Sequence, residues 1–207
     1  MNFAGCSGNY KDRICLKLQD LEKSPFVQFR KWFIEAESLN VIKPNAAFLS
    51  SVNGDCQPHS RTVMIKAYDE RGFVFFSECA TDKVYQINKN NKVALLFSWL
   101  EIERQVKITA TAVKLSIKEA FLHFSKRGKQ MGCWIEEDGF LSTRALLEKQ
   151  LGSLLKTLYN KGIEQSDIFC GYRIVPETAS FWQVCKNKLY QQFTYTKLKN
   201  GWKITKD

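Results

Sequence analysis

Three short segments carry the side chains best suited to holding a phosphorylated ligand. Arg61-Thr-Val-Met-Ile-Lys66 places two cations on a strand-like run, and alternation sends them to opposite faces. Ser77 through Lys83 reads as a strand end leading into a capped helix, whose N-terminus can receive a phosphate. Glu103-Arg-Gln105 opens a further strand. Taken singly, each segment also reads as ordinary solvated charge. Neither a Walker loop nor a Gly-rich dinucleotide fingerprint is present, so any phosphate would be held by strand and turn side chains. His59 and His123 are the only histidines, so no His-based metal site is expected. Their number leaves a Ser-His-Asp triad open, but nothing marks a nucleophile elbow. The seven cysteines, Cys6, Cys15, Cys56, Cys79, Cys133, Cys170 and Cys185, form no C-x-x-C pair. They are expected to be free thiols in a reducing compartment.

These segments need a scaffold. Ser24-Pro25 marks a helix start, and Phe26, Phe29, Trp32 and Phe33 fall on one face of the helix that follows. Ala46 to Val52 reads as a strand, Asn53-Gly54 as a two-residue hairpin turn, and about His59 to Tyr68 as the return strand. A turn at 69–72 leads to a strand from Phe73 to Ser77. Thr81 then caps a short helix to about Asn88. Strands follow at Lys92–Trp99 and Glu103–Leu115, and Ser116 with Glu119 forms a capping box. A leucine-faced helix is expected over about 142–159. Strands resume beyond Gly171, ending in a hairpin of Phe193–Leu198 and Trp202–Thr205 around Asn200-Gly201. The pattern predicts an α+β fold, a small antiparallel barrel with helices packed around it.

At 207 residues and 24.0 kDa the chain has room for one domain, read as 25–207 behind an N-terminal arm of residues 1–24. No apolar run approaches a membrane span, and the first ten residues lack a signal-peptide pattern, so the expected location is the cytoplasm. The net charge of +10 invites a nucleic-acid reading, but the charges are dispersed, and a solvated surface accounts for them.

In order and spacing the chain resembles the pyridoxamine 5'-phosphate oxidase family of FMN split-barrel flavoproteins. The resemblance rests on Pro44-Asn-Ala46, Ser60–Lys66, Asp69–Ser77, Leu95–Trp99, Glu103–Val106, Gln130-Met-Gly-Cys-Trp134, Gly171-Tyr-Arg173, Phe181-Trp-Gln183 and Trp202-Lys-Ile204. It implies a split β-barrel homodimer with two FMN molecules at the subunit interface, oxidising pyridoxamine or pyridoxine 5'-phosphate. In that chemistry a hydride equivalent passes to flavin N5 and dioxygen reoxidises the flavin, giving hydrogen peroxide. It further implies that FMN is bound by Arg61, Thr62, Val63, Met64, Ile65, Lys66, Phe76, Ser77, Lys83, Gln105 and Trp182. A phosphorylated substrate would meet Lys66, Lys188 and Tyr190.

The chain departs from the family pattern at the same site. Asp82 stands where the family has an Arg beside the phosphate-binding Lys, Asp138-Gly139 replaces Gln-Ser, and Gln192 replaces the last cofactor-binding Arg. Lys188-Leu-Tyr190 replaces Arg-Leu-His, Val184-Cys185 replaces Gly-Gly, and Phe121, Ser125 and Lys129 fall on the Tyr, Arg and Ser of a substrate-phosphate clamp. Three readings follow: the family oxidase itself, a phenazine-biosynthesis-type relative retuned to another ring system, and a non-catalytic flavin- or vitamin-B6-phosphate-binding protein.

Overall fold

The computed structural model describes residues 16–125, 152–153, 156–162, 169–185 and 190–207. Helix α1 (Pro25–Ser38) begins with Pro25 at its first position, and Ser24 Oγ accepts from the Phe26 amide. Its Phe26, Phe29, Trp32 and Phe33 are buried against the sheet. Phe29 meets Phe73, Phe97, Trp99 and Tyr68 at centroid separations of 4.8–5.9 Å, a contiguous aromatic core.

The strands are β1 (Ala46–Val52), β2 (Pro58–Met64), β3 (Ala67–Asp69), β4 (Gly72–Glu78), β5 (Lys92–Trp99), β6 (Arg104–Lys114), β7 (Phe169–Val184), β8 (Tyr190–Lys197) and β9 (Trp202–Lys206). They form one antiparallel sheet in the order β2-β1-β5-β6-β7-β4-β3, with β8 on β7 and β9 on β8. Helix α2 (Asp82–Lys89) links β4 to β5, and α3 (Ile117–Ser125) follows β6. Ser116 Oγ accepts from the Glu119 amide, as the capping pattern anticipates.

Four expectations change. The β1–β2 connection is not a two-residue turn: five residues, 53–57, separate the strands, and Asn53 Oδ1 accepts from the amides of Asp55 and Gln57. An Asx side chain that caps its own loop competes with the tight Asn-Gly turn. The run 59–68 is not one strand. It breaks after Met64, where the Ile65 amide reaches back to Asn45 O and the Lys66 amide crosses to Val74 O on β4. Thr81 occupies the N-cap position of α2 without a side-chain cap, because its hydroxyl turns to Glu78 O. The cysteines are not all free thiols: Cys79 and Cys170 are joined by a disulfide across 91 residues of sequence, with Cα atoms 5.4 Å apart.

Of the N-terminal arm, residues 16–24 lie against the domain. Leu16 packs on the core, and the buried Tyr195 hydroxyl donates to Glu22 O at 2.7 Å. Burial and the nearby Glu22 push the Tyr195 phenol well above its ordinary value. The helix expected over 142–159 falls mostly outside the described residues; 152–153 and 156–160 are helical.

Candidate functional site

Arg61 sits in mid-β2 opposite Leu49, on the face that also buries Val63 and Ile65. One Nη donates to Ser51 Oγ at 2.7 Å and to Leu49 O, and the other donates to Gln86 Oε1 at 2.9 Å. Ser51 Oγ in turn donates to the same Gln86 oxygen, and both residues are buried. The guanidinium is thus held where β1, β2 and α2 meet.

Lys83, in the first turn of α2, faces the same corner. Its Nζ donates to Thr81 Oγ1 at 3.3 Å, and Thr81 Oγ1 lies 3.2 Å from Ser77 Oγ, a buried hydroxyl at the end of β4. Burial and then the neighbouring Arg61 charge lower the Lys83 pKa, against the pull of Glu78 and Asp82. Burial likewise lowers Arg61, with exposed Asp82 opposing it. Two cations depressed by burial, one of them also by its neighbour, with two hydroxyls and a helix N-terminus beside them, suit a phosphate dianion. Glu78 and Asp82 are the discordant carboxylates that act on this corner.

A second group lies on the other face of the sheet. The ladder aligns Ser98, Gln105, Trp182 and Gln192 in one row across β5, β6, β7 and β8. Their chain neighbours Val106, Phe181 and Phe193 point into the core, so this row faces outward. Tyr190 stacks on Trp182 with centroids 6.0 Å apart and planes inclined by 28°. Gln192 Nε2 and Thr194 Oγ1 both donate to the Asp207 carboxylate, whose pKa is lowered by these bonds.

Alternation divides the expected cofactor strand between these faces. Arg61 points to the cradle side, Val63 and Ile65 are core side chains that can offer a ligand only backbone, and Thr62 is exposed on the outward face beside half-buried Met64. Lys66 lies beyond the strand break and is half-buried. Phe76 is half-buried over Gly171, where a Cβ would come within 2.8 Å of its ring, so the Phe76 position depends on that glycine. One chain therefore unites Arg61, Ser77 and Lys83, and separately Gln105, Trp182 and Tyr190, but keeps the two groups on opposite sides of its sheet. Lys188, and Asp138, Gly139 and Lys129 among the departures, lie outside the described residues. Ser51, Gln86 and the Thr81 hydroxyl complete the cradle without having been singled out as ligands. Ser51 follows Ala47 and Leu49 on the buried face of β1, and Gln86 stands between buried Val84 and Ile87; a polar residue on an apolar face is the signal each offers, and only the packing of α2 on β1 shows that the two meet.

Among the described residues no group of His, Cys, Asp and Glu is placed to hold a metal, and no helix is long and apolar enough to cross a membrane.

The sequence matches two family profiles, one after the other. That described as Pyridoxamine 5'-phosphate oxidase covers residues 34–154, and that described as Pyridoxine 5'-phosphate oxidase C-terminal dimerisation region covers 169–206. The chain belongs to the pyridoxamine 5'-phosphate oxidase family. Curated relatives named pyridoxine/pyridoxamine 5'-phosphate oxidase include one from Crocosphaera subtropica, 41% identical over 87% of this chain and 86% of its own length. Another, from Aliarcobacter butzleri, is 38% identical over 92% of both. Among solved structures, PhzG from Burkholderia lata, in complex with tetrahydrophenazine-1-carboxylic acid, superposes with a TM-score of 0.67 at 20% identity, covering 95% of this chain and 98% of that one. A pyridoxamine 5'-phosphate oxidase-related FMN-binding protein from Nostoc punctiforme gives 0.62 at 12% identity, over 89% and 97%. These two likenesses carry the fold, the split barrel of this family's structures.

Proposed function

We propose that the chain is an FMN-dependent oxidase acting on pyridoxamine or pyridoxine 5'-phosphate, assembled as a homodimer. The observation that carries this reading is the Arg61–Lys83 corner, whose two depressed cations and flanking hydroxyls fit the phosphate of FMN. Bound FMN supplies a two-electron acceptor, with dioxygen as the terminal oxidant and hydrogen peroxide as the product. Arg61, Ser77 and Lys83 hold the phosphate; Gln105 and Trp182 flank the ring; Lys66, Lys188 and Tyr190 receive the substrate. Because Gln105 and Trp182 face away from the cradle, a second copy is required to bring its outward row to the first copy's phosphate site. The match of residues 169–206 to a dimerisation region supports that assembly.

The test is titration of flavin-stripped protein with FMN, followed by a peroxide assay with pyridoxamine 5'-phosphate. Saturable flavin binding with one peroxide per pyridoxal 5'-phosphate is the expected result. No flavin binding overturns the cofactor assignment. Flavin binding without peroxide favours a second reading, a flavoprotein retuned to another ring substrate. The observation behind that reading is Tyr190, which lays an aromatic face on Trp182 where the family pattern has an imidazole.

A further inference from the structure

Ser77, a cradle hydroxyl, pairs directly with Cys170 in the β4–β7 ladder, and that ladder runs one residue further, to Glu78 and Phe169. Cys79 is the next residue along, and its disulfide to Cys170 ties the diagonal across the end of the ladder. From Cys79 the chain runs through Ala80 into Thr81, Asp82 and Lys83, so the bridge fixes the start of the segment that supplies two of the cradle's side chains. Hydrogen bonds along this connection include Thr81 Oγ1 and Ser77 Oγ, which both donate to Glu78 O, the amides of Val84 and Tyr85, which bond Thr81 O, and Lys83 Nζ, which donates to Thr81 Oγ1. Ala80 is exposed, and Cys79 is half-buried beside a fully buried Cys170. The sulfur on the Cys79 side is therefore the one a solvent reagent reaches first.

We infer that Cys79 and Cys170 form a redox latch on the phosphate cradle: the disulfide holds the β4–α2 connection in its binding geometry, and the dithiol lets it open. This rests on the reading of the cradle as the flavin-phosphate site. Closing the latch is a two-electron oxidation, and a peroxide is an oxidant of the right class. The Cys79 thiolate attacks one peroxide oxygen, the O–O bond breaks and hydroxide leaves, taking up the proton the thiol had given up to become water, and a sulfenic acid remains. The Cys170 thiolate attacks that sulfur, the S–O bond breaks as the S–S bond forms, and the hydroxide that leaves takes up the proton from Cys170; two thiols and one hydrogen peroxide become one disulfide and two waters. Opening runs by exchange with a small dithiol, which leaves as its cyclic disulfide while both protein sulfurs take up protons. The proposed oxidase reaction makes the same oxidant, so turnover would favour the closed latch and retention of the cofactor.

The experiment uses the full chain, flavin-stripped, prepared once with hydrogen peroxide and once with dithiothreitol. Alkylation and peptide mass mapping read the state of Cys79 and Cys170, amide hydrogen exchange reads residues 77–86, and FMN titration reads affinity. The latch predicts a mapped Cys79–Cys170 bridge in the oxidised sample, faster exchange over 77–86 on reduction, and an FMN Kd raised about 10-fold, the size expected when a bound conformation loses a covalent restraint. Cys79→Ser should behave as the reduced protein and ignore dithiothreitol. Because Cys79 is the more exposed partner, this variant spares the buried Cys170 site. Failure to find the bridge after peroxide, or exchange over 77–86 that is indifferent to reduction, overturns the latch. Redox-sensitive exchange with the same Kd in both states overturns its control of the cofactor. Redox-sensitive exchange with no flavin binding in either state leaves the latch standing and overturns the flavin reading instead.

Discussion

Arg61 and Lys83 repel one another, and a fold that gains nothing from their meeting would separate them. Instead Arg61 is anchored on Ser51, Leu49 O and Gln86, and Lys83 is partly buried nearby. An anion bound between them, as proposed, would offset that repulsion, since charge-assisted bonds contribute about 1.5–3 kcal/mol each. Arg61→Gln should therefore raise the FMN Kd about 10- to 100-fold in a fluorescence-quenching titration. Asp82 is expected to work the other way: Asp82→Arg removes a carboxylate and adds a planar donor, and should tighten FMN about 10-fold. The lowered Lys83 pKa also sets a sign for pH. The amine gives up its proton at a lower pH than an ordinary lysine, and a bound dianion favours the protonated form. FMN affinity should thus fall as pH rises through that lowered value, and Lys83→Arg should flatten the decline when titrations are repeated across the alkaline range.

At the scale of elements, α3 is joined to the sheet by a buried arginine. Arg173 on β7 donates to Asp69 Oδ1 at 2.8 Å and to His123 Nε2 at 3.0 Å, so that ring nitrogen accepts and the imidazole is neutral. Burial and then Arg173 lower the His123 pKa, with Asp69 and Glu119 opposing and Arg71 adding to the depression. A histidine whose folded pKa is below its unfolded value gives full stability above about pH 6.5, the unfolded value, and loses it as pH falls, because the unfolded chain takes up the proton first. The melting temperature should drop on acidification through that window, and His123→Gln should reduce the slope. An unchanged slope would mean that other groups set the acid limb. Local signals sufficed for α1, β1 and β5, where Pro25, β-branched and aromatic residues, and strict burial alternation agree. They failed where distant partners decide: the break after Met64 is set by Asn45 and Val74, and the disulfide by the pairing of β4 with β7 far along the chain. Arg61, Ser77 and Lys83 were legible as candidates, and the fold brings them to one corner. Gln86 and Ser51 were not, since only the packing of α2 on β1 reveals that their polar atoms meet.

For the whole molecule, the outward face of the sheet decides whether the two halves of the site work together. Along that face the ladder places Thr62, Phe48, Leu96, Lys107, Ser180 and Thr194 in a row beside the one carrying Gln105 and Trp182. Phe48 is 47% exposed there, a large ring only partly covered by its own chain on a strand whose neighbours Ala47 and Leu49 are buried. If two copies join through this face, Phe48 lies at the seam, and the cradle of one copy receives Gln105 and Trp182 from the other. A charge at that position would then be desolvated on assembly without a partner, a cost of about 2 kcal/mol or more for an aromatic anchor of an interface. Phe48→Glu should shift the protein from dimer to monomer in light scattering at micromolar concentration. It should also weaken FMN binding about 30-fold or more, although it leaves Arg61, Ser77 and Lys83 in place. Circular dichroism should stay unchanged, because the substituted side chain is outside the core. A monomeric Phe48→Glu that binds FMN as tightly as the parent would show that one chain completes the site by itself, and the division of the site between two faces would then carry no functional meaning.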